Sequence, residues 1–167
     1  MNNFDENLEK AGVILANKNS IREFLNDLTD LVEIINKVPP SLRPTNGEMG
    51  YSFFEDENRF EFYASSHKTK IRRFLFINMG ESKFVIKRRI YFELSDIPDM
   101  VKVNINEKYM SIPQSEFVRK YKNKFLVRIS RLEKGLEKNI MDWLVFKISI
   151  KEVIADLPLQ RNSESKI

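Results

Sequence analysis

Residues 71–106 read IRRFLFINMGESKFVIKRRIYFELSDIPDMVKVNIN, and apolar and polar side chains alternate through much of this stretch. A period of two is typical of β-strands that are buried on one face only. The pattern predicts strands over 71–79, 83–94 and 101–105, with residues 80–82 as the loop of the first hairpin. Because the connections between them are short, these strands predict an antiparallel sheet.

The first hairpin of this stretch has a predicted register that separates its side chains into two faces. A three-residue loop places Met79 opposite Lys83, and a slip of one residue would mix apolar and basic side chains on both faces. The apolar face comprises Phe74, Phe76, Phe84, Ile86, Ile90, Phe92 and Leu94, interrupted by Arg72 and Arg88. The opposite face comprises Arg73, Lys87, Arg89 and Tyr91 around Leu75, Ile77 and Val85. We therefore expect a basic strand surface that carries an aromatic ring.

Two shorter strands precede this hairpin. The alternation over 51–55 and 59–64 predicts a pair of strands joined by the acidic turn 55–58. With the later strands they form a predicted antiparallel block over residues 49–106, and the whole sheet is expected to have about five to six strands.

The N-terminal residues 1–38 are predicted to form a pair of helices. The second helix begins at the capping box Ser20–Glu23, in which the serine and glutamate side chains each accept a backbone N–H. It ends before Pro39, because proline disfavours a helical conformation in the preceding residue. The apolar stripes comprise Phe4, Leu8, Ala11 and Leu15 in the first helix, and Ile21, Phe24, Leu25, Leu28, Leu31, Val32 and Ile35 in the second.

The last third of the chain, residues 114–157, is predicted to contain a helix and a returning strand. An apolar spacing close to that of a helix runs over 117–140, although residues 125–129 also alternate as in a strand. The alternation over 144–151 favours a final strand. Helices, strands and a closing helix and strand in separate blocks predict an α+β fold.

A chain of 167 residues is long enough for one well-formed core. We predict a single domain over residues 1–158 and a frayed polar tail over 159–167. The N-terminus lacks the basic and then apolar start of a signal peptide, and no apolar run reaches the roughly 20 residues of a membrane span. A cytoplasmic protein without membrane contact is therefore expected.

The net charge of +4 is distributed unevenly along the chain. Residues 1–35 hold seven acids and three bases, whereas residues 68–89 hold eight bases and one acid. Residues 119–138 hold eight bases and two acids. This asymmetry indicates either a polyanionic partner or basic segments that contact the acidic helices of the same molecule.

Most catalytic and metal-binding classes lack their residues in this sequence. There is no cysteine, and His67 is the only histidine, which excludes thiol nucleophiles and the usual zinc sites. The scattered glycines form no phosphate-binding loop. A weak alternative is a metal-dependent nuclease, because Glu81 and Lys83 have the Glu-x-Lys spacing of such a core and the acids of 55–57 could bind Mg²⁺.

These features favour a small non-catalytic binding protein that has neither a cofactor nor a metal. Basic side chains bind phosphates and aromatic rings stack on bases, so we expect nucleic acid as the partner. The candidate binding residues are Lys68, Lys70, Arg73, Lys87, Arg89 and Tyr91. The stretch Arg119–Lys138 would add phosphate contacts. The alternative is a protein-binding inhibitor, immunity or adaptor protein that uses the charge asymmetry to orient its target.

Overall fold

The computed structural model describes residues 3–43, 45–112 and 117–158, with the side chains at 72 and 117–119 outside the description. The helices and strands are α1 Asn3–Lys37, β1 Met49–Phe54, β2 Arg59–Phe74, β3 Ile77–Leu94, β4 Met100–Ile112, β5 Phe117–Arg128, α2 Leu136–Leu144 and α3 Ile150–Asp156. Single 3-10 turns occupy Pro40–Leu42, Glu55–Glu57 and Ile129–Arg131. The predicted α+β class is confirmed, and the predicted tail 159–167 lies outside the described residues.

The five strands form one antiparallel sheet in the order β1-β2-β3-β4-β5. Each strand pairs with the next one along the chain, as expected for elements joined by short connections. The acidic turn Glu55–Glu57 joins β1 to β2, as the sequence predicts, and β4 follows the predicted alternation after residue 100.

The N-terminal region is one helix of 35 residues, so the predicted helical pair is wrong. Ser20 does not cap a second helix, because its hydroxyl donates to the carbonyl of Ala16 at 3.0 Å inside α1. Residues 13–37 contain no glycine or proline, so nothing in the backbone forces a break. The predicted end before Pro39 is confirmed, since α1 ends at Lys37. Among the described helices none is both long and apolar enough to cross a membrane.

Asn17 is buried in the middle of α1 and connects the helix to the β3–β4 loop. Its side-chain amide donates to the carbonyls of Ser95, Ile97 and Met100 at 2.8 to 3.1 Å, and its oxygen accepts the backbone N–H of Asp99 at 3.0 Å. An asparagine in a polar stretch is locally a poor helix former. These tertiary hydrogen bonds engage both the amino group and the oxygen of the side chain and explain why the helix continues through this point.

All three helices pack on one face of the sheet, which we call the helix-covered face. Its central row is formed by Phe62, Ile90 and Ile105, which lie side by side on β2, β3 and β4 and are almost fully buried. The helices contribute Ile21, Phe24, Leu25, Leu28 and Val32 from α1, Leu136, Ile140, Met141, Trp143 and Leu144 from α2, and Ile150 and Val153 from α3. No described helix covers the opposite side, which we call the open face.

The β2–β3 hairpin turns at Leu75 and Phe76, so the predicted loop over 80–82 is wrong. Glu81 lies inside β3 and pairs with Ile71. The reason lies in the body of the sheet, where the core pairs Phe60↔Phe92 and Phe62↔Ile90 determine the register. When this register continues outward, the strands meet at Leu75 and Phe76. The alternation within β3 itself agrees with the prediction.

The last third contains β5 followed by two short helices, which corrects both predictions made for it. The predicted helix over 117–140 is instead β5 and α2, because β4 offers an unpaired edge where Val101 pairs with Val127 and Val103 pairs with Phe125. The predicted strand over 144–151 is a turn that leads into α3. This helix starts at a capping box formed by Ser149 and Glu152.

Candidate nucleic-acid interface

The open face of the sheet is rich in basic side chains. It comprises the bases Arg59, Lys83, Lys87, Arg89, Lys102, Lys108, Lys120, Lys122 and Lys124, and the acids Glu61, Glu81 and Glu93. Strand alternation brings them together from β2, β3, β4 and β5, since successive side chains point to opposite faces. The excess of positive charge is therefore concentrated on one surface.

Three lysines lie in direct register across this face. Lys87 on β3 is opposite Lys108 on β4, and Lys108 is opposite Lys120 on β5. Directly opposed side chains have Cβ atoms about 5 Å apart, and like charges at this distance destabilise a sheet. Lysines that protect a sheet from aggregation lie on edge strands, whereas β3 and β4 are interior strands. Lys87 and Lys108 therefore cannot serve to prevent another chain from pairing with an edge of the sheet.

Tyr91 lies near the centre of the open face, and its ring contacts the guanidinium of Arg59. The guanidinium carbon of Arg59 is 4.9 Å from the Tyr91 ring centroid and 4.6 Å from that of Phe54. Arg59 also forms an ion pair with Glu57, with 2.8 Å between Nη1 and Oε2. Cation–π contacts of this kind fix the orientation of both partners. Tyr91 thus presents an oriented ring to the surface.

Two shallow depressions adjoin Tyr91 and share its side chain and that of Asn106. The first has a volume of about 230 Å³ and is lined by Arg59, Tyr91, Glu93, Asn104, Asn106, Lys122 and Lys124. The second has a volume of about 140 Å³ and is lined by Lys87, Arg89, Tyr91, Asn106, Lys108 and Met110. Each depression combines cations, an aromatic ring and a side-chain amide.

Two amide oxygens in these depressions have no hydrogen-bond partner among the described residues. They are Oδ1 of Asn104 and Oδ1 of Asn106, and both are shielded from solvent. Nε of Arg59 is unpartnered in the same way. Shielded polar atoms are nearly always paired in folded proteins, because leaving one unpaired costs free energy. Both oxygens lie beneath the surface of the depressions, where neither is exposed to a ligand.

Only part of the charge on the open face is neutralised by acidic neighbours. Arg89 pairs with the nearly buried Glu61 at 3.5 Å, and its hydrogen bond with Tyr91 raises the pKa of its guanidinium further. By contrast, Lys87, Lys122 and Lys124 form no ion pair with any residue of the described ranges. These lysines are exposed and available to anions.

The acidic helix does not neutralise this surface. α1 packs against the helix-covered face, so the sheet separates its carboxylates from the open face. Intramolecular neutralisation was one of the two explanations that the charge distribution allowed. For the open face, the fold excludes it, because a side chain on one face cannot reach across the sheet to the other.

The structure brings together three of the six predicted binding residues. Lys87, Arg89 and Tyr91 are neighbours on the open face of β3, as the alternation predicts. Lys68 and Lys70 alternate in phase with Ser66 and therefore belong to the side of β2 that bears the helices. Arg73 lies beyond a register shift near the hairpin turn. The predicted grouping of these last three with Tyr91 is therefore wrong, since it depended on the incorrect loop.

Other residues of the site were missed because β5 was predicted to be a helix. The exposed lysines at 120, 122 and 124 have the spacing of a strand, and this period of two was the available signal. Of the predicted stretch Arg119–Lys138, these three lysines lie on the open face, whereas the bases after Ile129 belong to the connection into α2 and to α2 itself. Arg59, Asn104 and Asn106 carry no local signal, because their proximity depends on strand pairing.

The residues of the weak nuclease alternative lie far apart. Glu81 and Lys83 are near the outer end of β3, whereas Glu55–Glu57 joins β1 and β2 at the opposite end of the sheet. The rows of Glu81 and Arg59 are separated by twelve residues of strand, which corresponds to about 40 Å. Within the described part of the chain, no three acids or histidines are grouped so that they could bind a metal ion.

The open face thus offers cations for phosphate groups and an oriented aromatic ring for stacking. Comparison with known proteins gives no match, whether to a protein-family model, to a curated protein or to a solved structure.

Proposed function

We propose that the protein binds nucleic acid through the open face of its sheet. The observation that carries this proposal is the group Lys87, Lys122 and Lys124, exposed lysines around Tyr91 that form no ion pair with any residue of the described ranges. Phosphates that contact these lysines would supply the missing counter-charges. The protein acts by binding and without a cofactor, and we place this activity in the cytoplasm, where nucleic acid is present.

The two depressions supply the contacts that distinguish a nucleic acid from other polyanions. Lys87, Lys122 and Lys124 are positioned to contact phosphates around them. Tyr91, which lines both depressions, provides a ring on which a base can stack. A simple polyanion such as polyphosphate could use only the first of these contacts.

The proposal is tested by fluorescence anisotropy with labelled DNA and RNA oligonucleotides across a salt series. The test variant is Lys87→Glu/Lys122→Glu, and the matched control is Lys138→Glu/Lys151→Glu, which changes the net charge equally on the helices. Each lost phosphate contact reduces the slope of log K against log salt by about 0.7 to 0.9. We therefore expect the test variant to reduce the slope by about 1.5 and the control to leave it unchanged.

Two results would overturn this proposal. One is no binding by the wild-type protein at any salt concentration in the series. The other is an equal loss of affinity in both variants, because this would make net charge, and not the open face, the determinant of binding.

A protein-binding role, as in an inhibitor, immunity or adaptor protein, is the second candidate function. It is favoured by an apolar stripe on the first half of α1, where Phe4, Leu8 and Leu15 are 72%, 63% and 58% exposed. Exposed apolar surface of this kind is typical of interaction sites. Affinity capture from a lysate of the natural host, with the wild type and with Phe4→Ser/Leu8→Ser as bait, tests it. A protein retained stoichiometrically by the wild type and lost with the variant supports the role, and no stoichiometric protein on the wild type contradicts it.

A further inference from the structure

The β2–β3 hairpin extends beyond the rest of the sheet, and we call residues 68–82 the arm. The pairing of β1 ends at Ala64, and the last residue of β3 that pairs with β4 is Lys83. Within the described ranges, the two strands of the arm therefore pair with each other and with no other strand. At about 3.3 Å per residue, the arm projects roughly 20 Å past its neighbours.

The end of the arm exposes a cluster of apolar side chains. Phe76 is fully exposed at 102%, and Leu75 is exposed at 74%. The other apolar members of this cluster are Ile71, Phe74, Ile77 and Met79, all of them exposed. Soluble proteins rarely present this much apolar surface in one small segment unless a partner covers it.

The turn at the end of the arm is formed by residues that are poorly suited to it. Leu75 and Phe76 have φ values of 46° and 70°, which is the signature of a type I′ turn. This region is strained for residues with a bulky side chain, and Asn-Gly makes the same turn without strain. Strained backbone at an exposed position is often associated with function. Here it holds an exposed leucine and an exposed phenylalanine at the turn of the hairpin.

The stem of the arm carries basic side chains, and the open face begins at its base. Lys68 and Lys70 lie on the side of β2 that bears the helices, whereas Lys83 lies on the same side of β3 as Lys87. A polyanion bound along the open face of β3 would therefore reach the base of the arm at Lys83, next to the apolar cluster. The occupant of the arm must combine negative charge with apolar surface in one chain.

We infer that the arm binds the unstacked bases of a single-stranded nucleic acid, with Phe74 and Phe76 stacking on base rings. This inference rests on the proposed function and specifies its substrate class. Unpaired strands expose the faces of their bases, whereas a duplex covers them by stacking. The phosphates of the same strand contact the basic stem and the open face.

The inference predicts that the loss of these rings lowers affinity without changing the salt dependence. Stacking of a base on an aromatic side chain contributes between about 5-fold and about 150-fold in affinity per base. Phenylalanine carries no charge, so no counterion release is lost with it. Replacement of lysines on the open face, by contrast, changes the salt slope.

The experiment compares Phe74→Ala/Phe76→Ala and Leu75→Asn/Phe76→Gly with the wild type by anisotropy on a single-stranded oligonucleotide of about 20 bases and on its duplex. Leu42→Ala is the matched control, because Leu42 is as exposed as Leu75 but lies in the 3-10 turn after α1. Fluorescence of Trp143, the only tryptophan, reports whether the core is intact in each variant. Leu75→Asn/Phe76→Gly relieves the strained turn and removes the apolar end, so it should bind more weakly while unfolding at the same or a higher temperature.

We expect the wild type to prefer the single strand and both arm variants to lose at least about fivefold in affinity for it, with an unchanged salt slope. Preference for the duplex, or single-strand binding that is unaffected in both arm variants, would overturn the inference and leave the proposed function intact. If the wild type binds no nucleic acid, the proposed function itself fails. Binding to anionic phospholipid vesicles that is lost in the arm variants, with nucleic-acid binding unchanged, would assign the arm to a membrane surface and also overturn the inference.

Discussion

Glu107 and Arg88 form a buried ion pair on the helix-covered face, and its disruption is the most informative test of the fold. Nε of Arg88 lies 2.6 Å from Oε2 of Glu107, and each side chain is 8% exposed. The guanidinium also donates to the carbonyls of Trp143 and Ile148, which join the end of α2 to the segment before α3. It lies 4.4 Å from the ring centroid of Phe146. Arg88 thus connects the sheet to the C-terminal helices.

Replacement of Glu107 by alanine leaves the charge of Arg88 buried without its counterion. Removing one partner of a buried pair costs about 3 to 5 kcal/mol. Arg88 keeps its two carbonyl acceptors and its aromatic contact in the variant. We therefore expect the free energy of unfolding to fall by about 3 kcal/mol, the lower end of this range. For a chain of this size, 1 kcal/mol shifts the melting temperature by about 2 to 4 °C. Glu107→Ala should therefore lower it by about 6 to 12 °C.

Thermal unfolding followed by Trp143 fluorescence measures this effect directly, since Trp143 is buried beside Arg88. The control is Glu93→Ala, which removes an exposed pair with Lys102 at 3.4 Å and should cost less than about 1 kcal/mol. The double variant Arg88→Met/Glu107→Leu removes both charges and should recover much of the lost stability. A melting temperature for Glu107→Ala as high as that for Glu93→Ala would refute the reasoning.

The remaining predictions concern a buried amide, a surface carboxylate and the lysine row. Asn17→Ala deletes the hydrogen bonds that hold the β3–β4 loop, so it should lower the free energy of unfolding by about 1 to 3 kcal/mol. Urea denaturation measures this change, and a urea midpoint equal to that of the wild type would contradict the prediction. The hydroxyl of Ser130 donates to Asp99 and holds the pKa of this carboxyl below its usual value of 3.8. Because the folded pKa is lowered, the stabilisation is present above pH 3.8 and is lost as the pH falls through the folded pKa. Melting temperatures measured from about pH 5 to pH 2 should therefore fall less steeply in Ser130→Ala than in the wild type, and parallel curves would argue against the hydrogen bond. Lys87→Gln removes one charge of the row opposite Lys108 and should stabilise the free protein by up to about 1 kcal/mol at low salt. The gain should shrink as salt is added, and a destabilised variant would show that the row is not under repulsion.

Local sequence patterns predicted the elements whose period is unambiguous. The alternation in β3 and β4 determines which side chains share a face within each strand, and Lys87, Arg89 and Tyr91 were placed together correctly on that basis. The end of α1 before Pro39 was also predictable, because proline acts on its immediate neighbour.

The predictions that failed depended on partners distant in sequence. Asn17 continues α1 because it binds a loop some 80 residues away. Residues 125–129 fit the spacing of a helix or of a strand, and the free edge of β4 decided between them. The hairpin turn follows from the core pair Phe62↔Ile90 and not from Gly80, the residue that locally favours a turn.

The sequence by itself therefore determined the α+β class, the alternation of side chains within β3 and β4, and three residues of the candidate site. Only the tertiary structure decided the register of the hairpin, the conversion of residues 117–128 into an edge strand, and the lysine row across three strands. The physical reason is the range of the interactions. Alternation and helix termination act between residues a few positions apart, whereas register and the proximity of β5 to β3 depend on which apolar side chains are buried together.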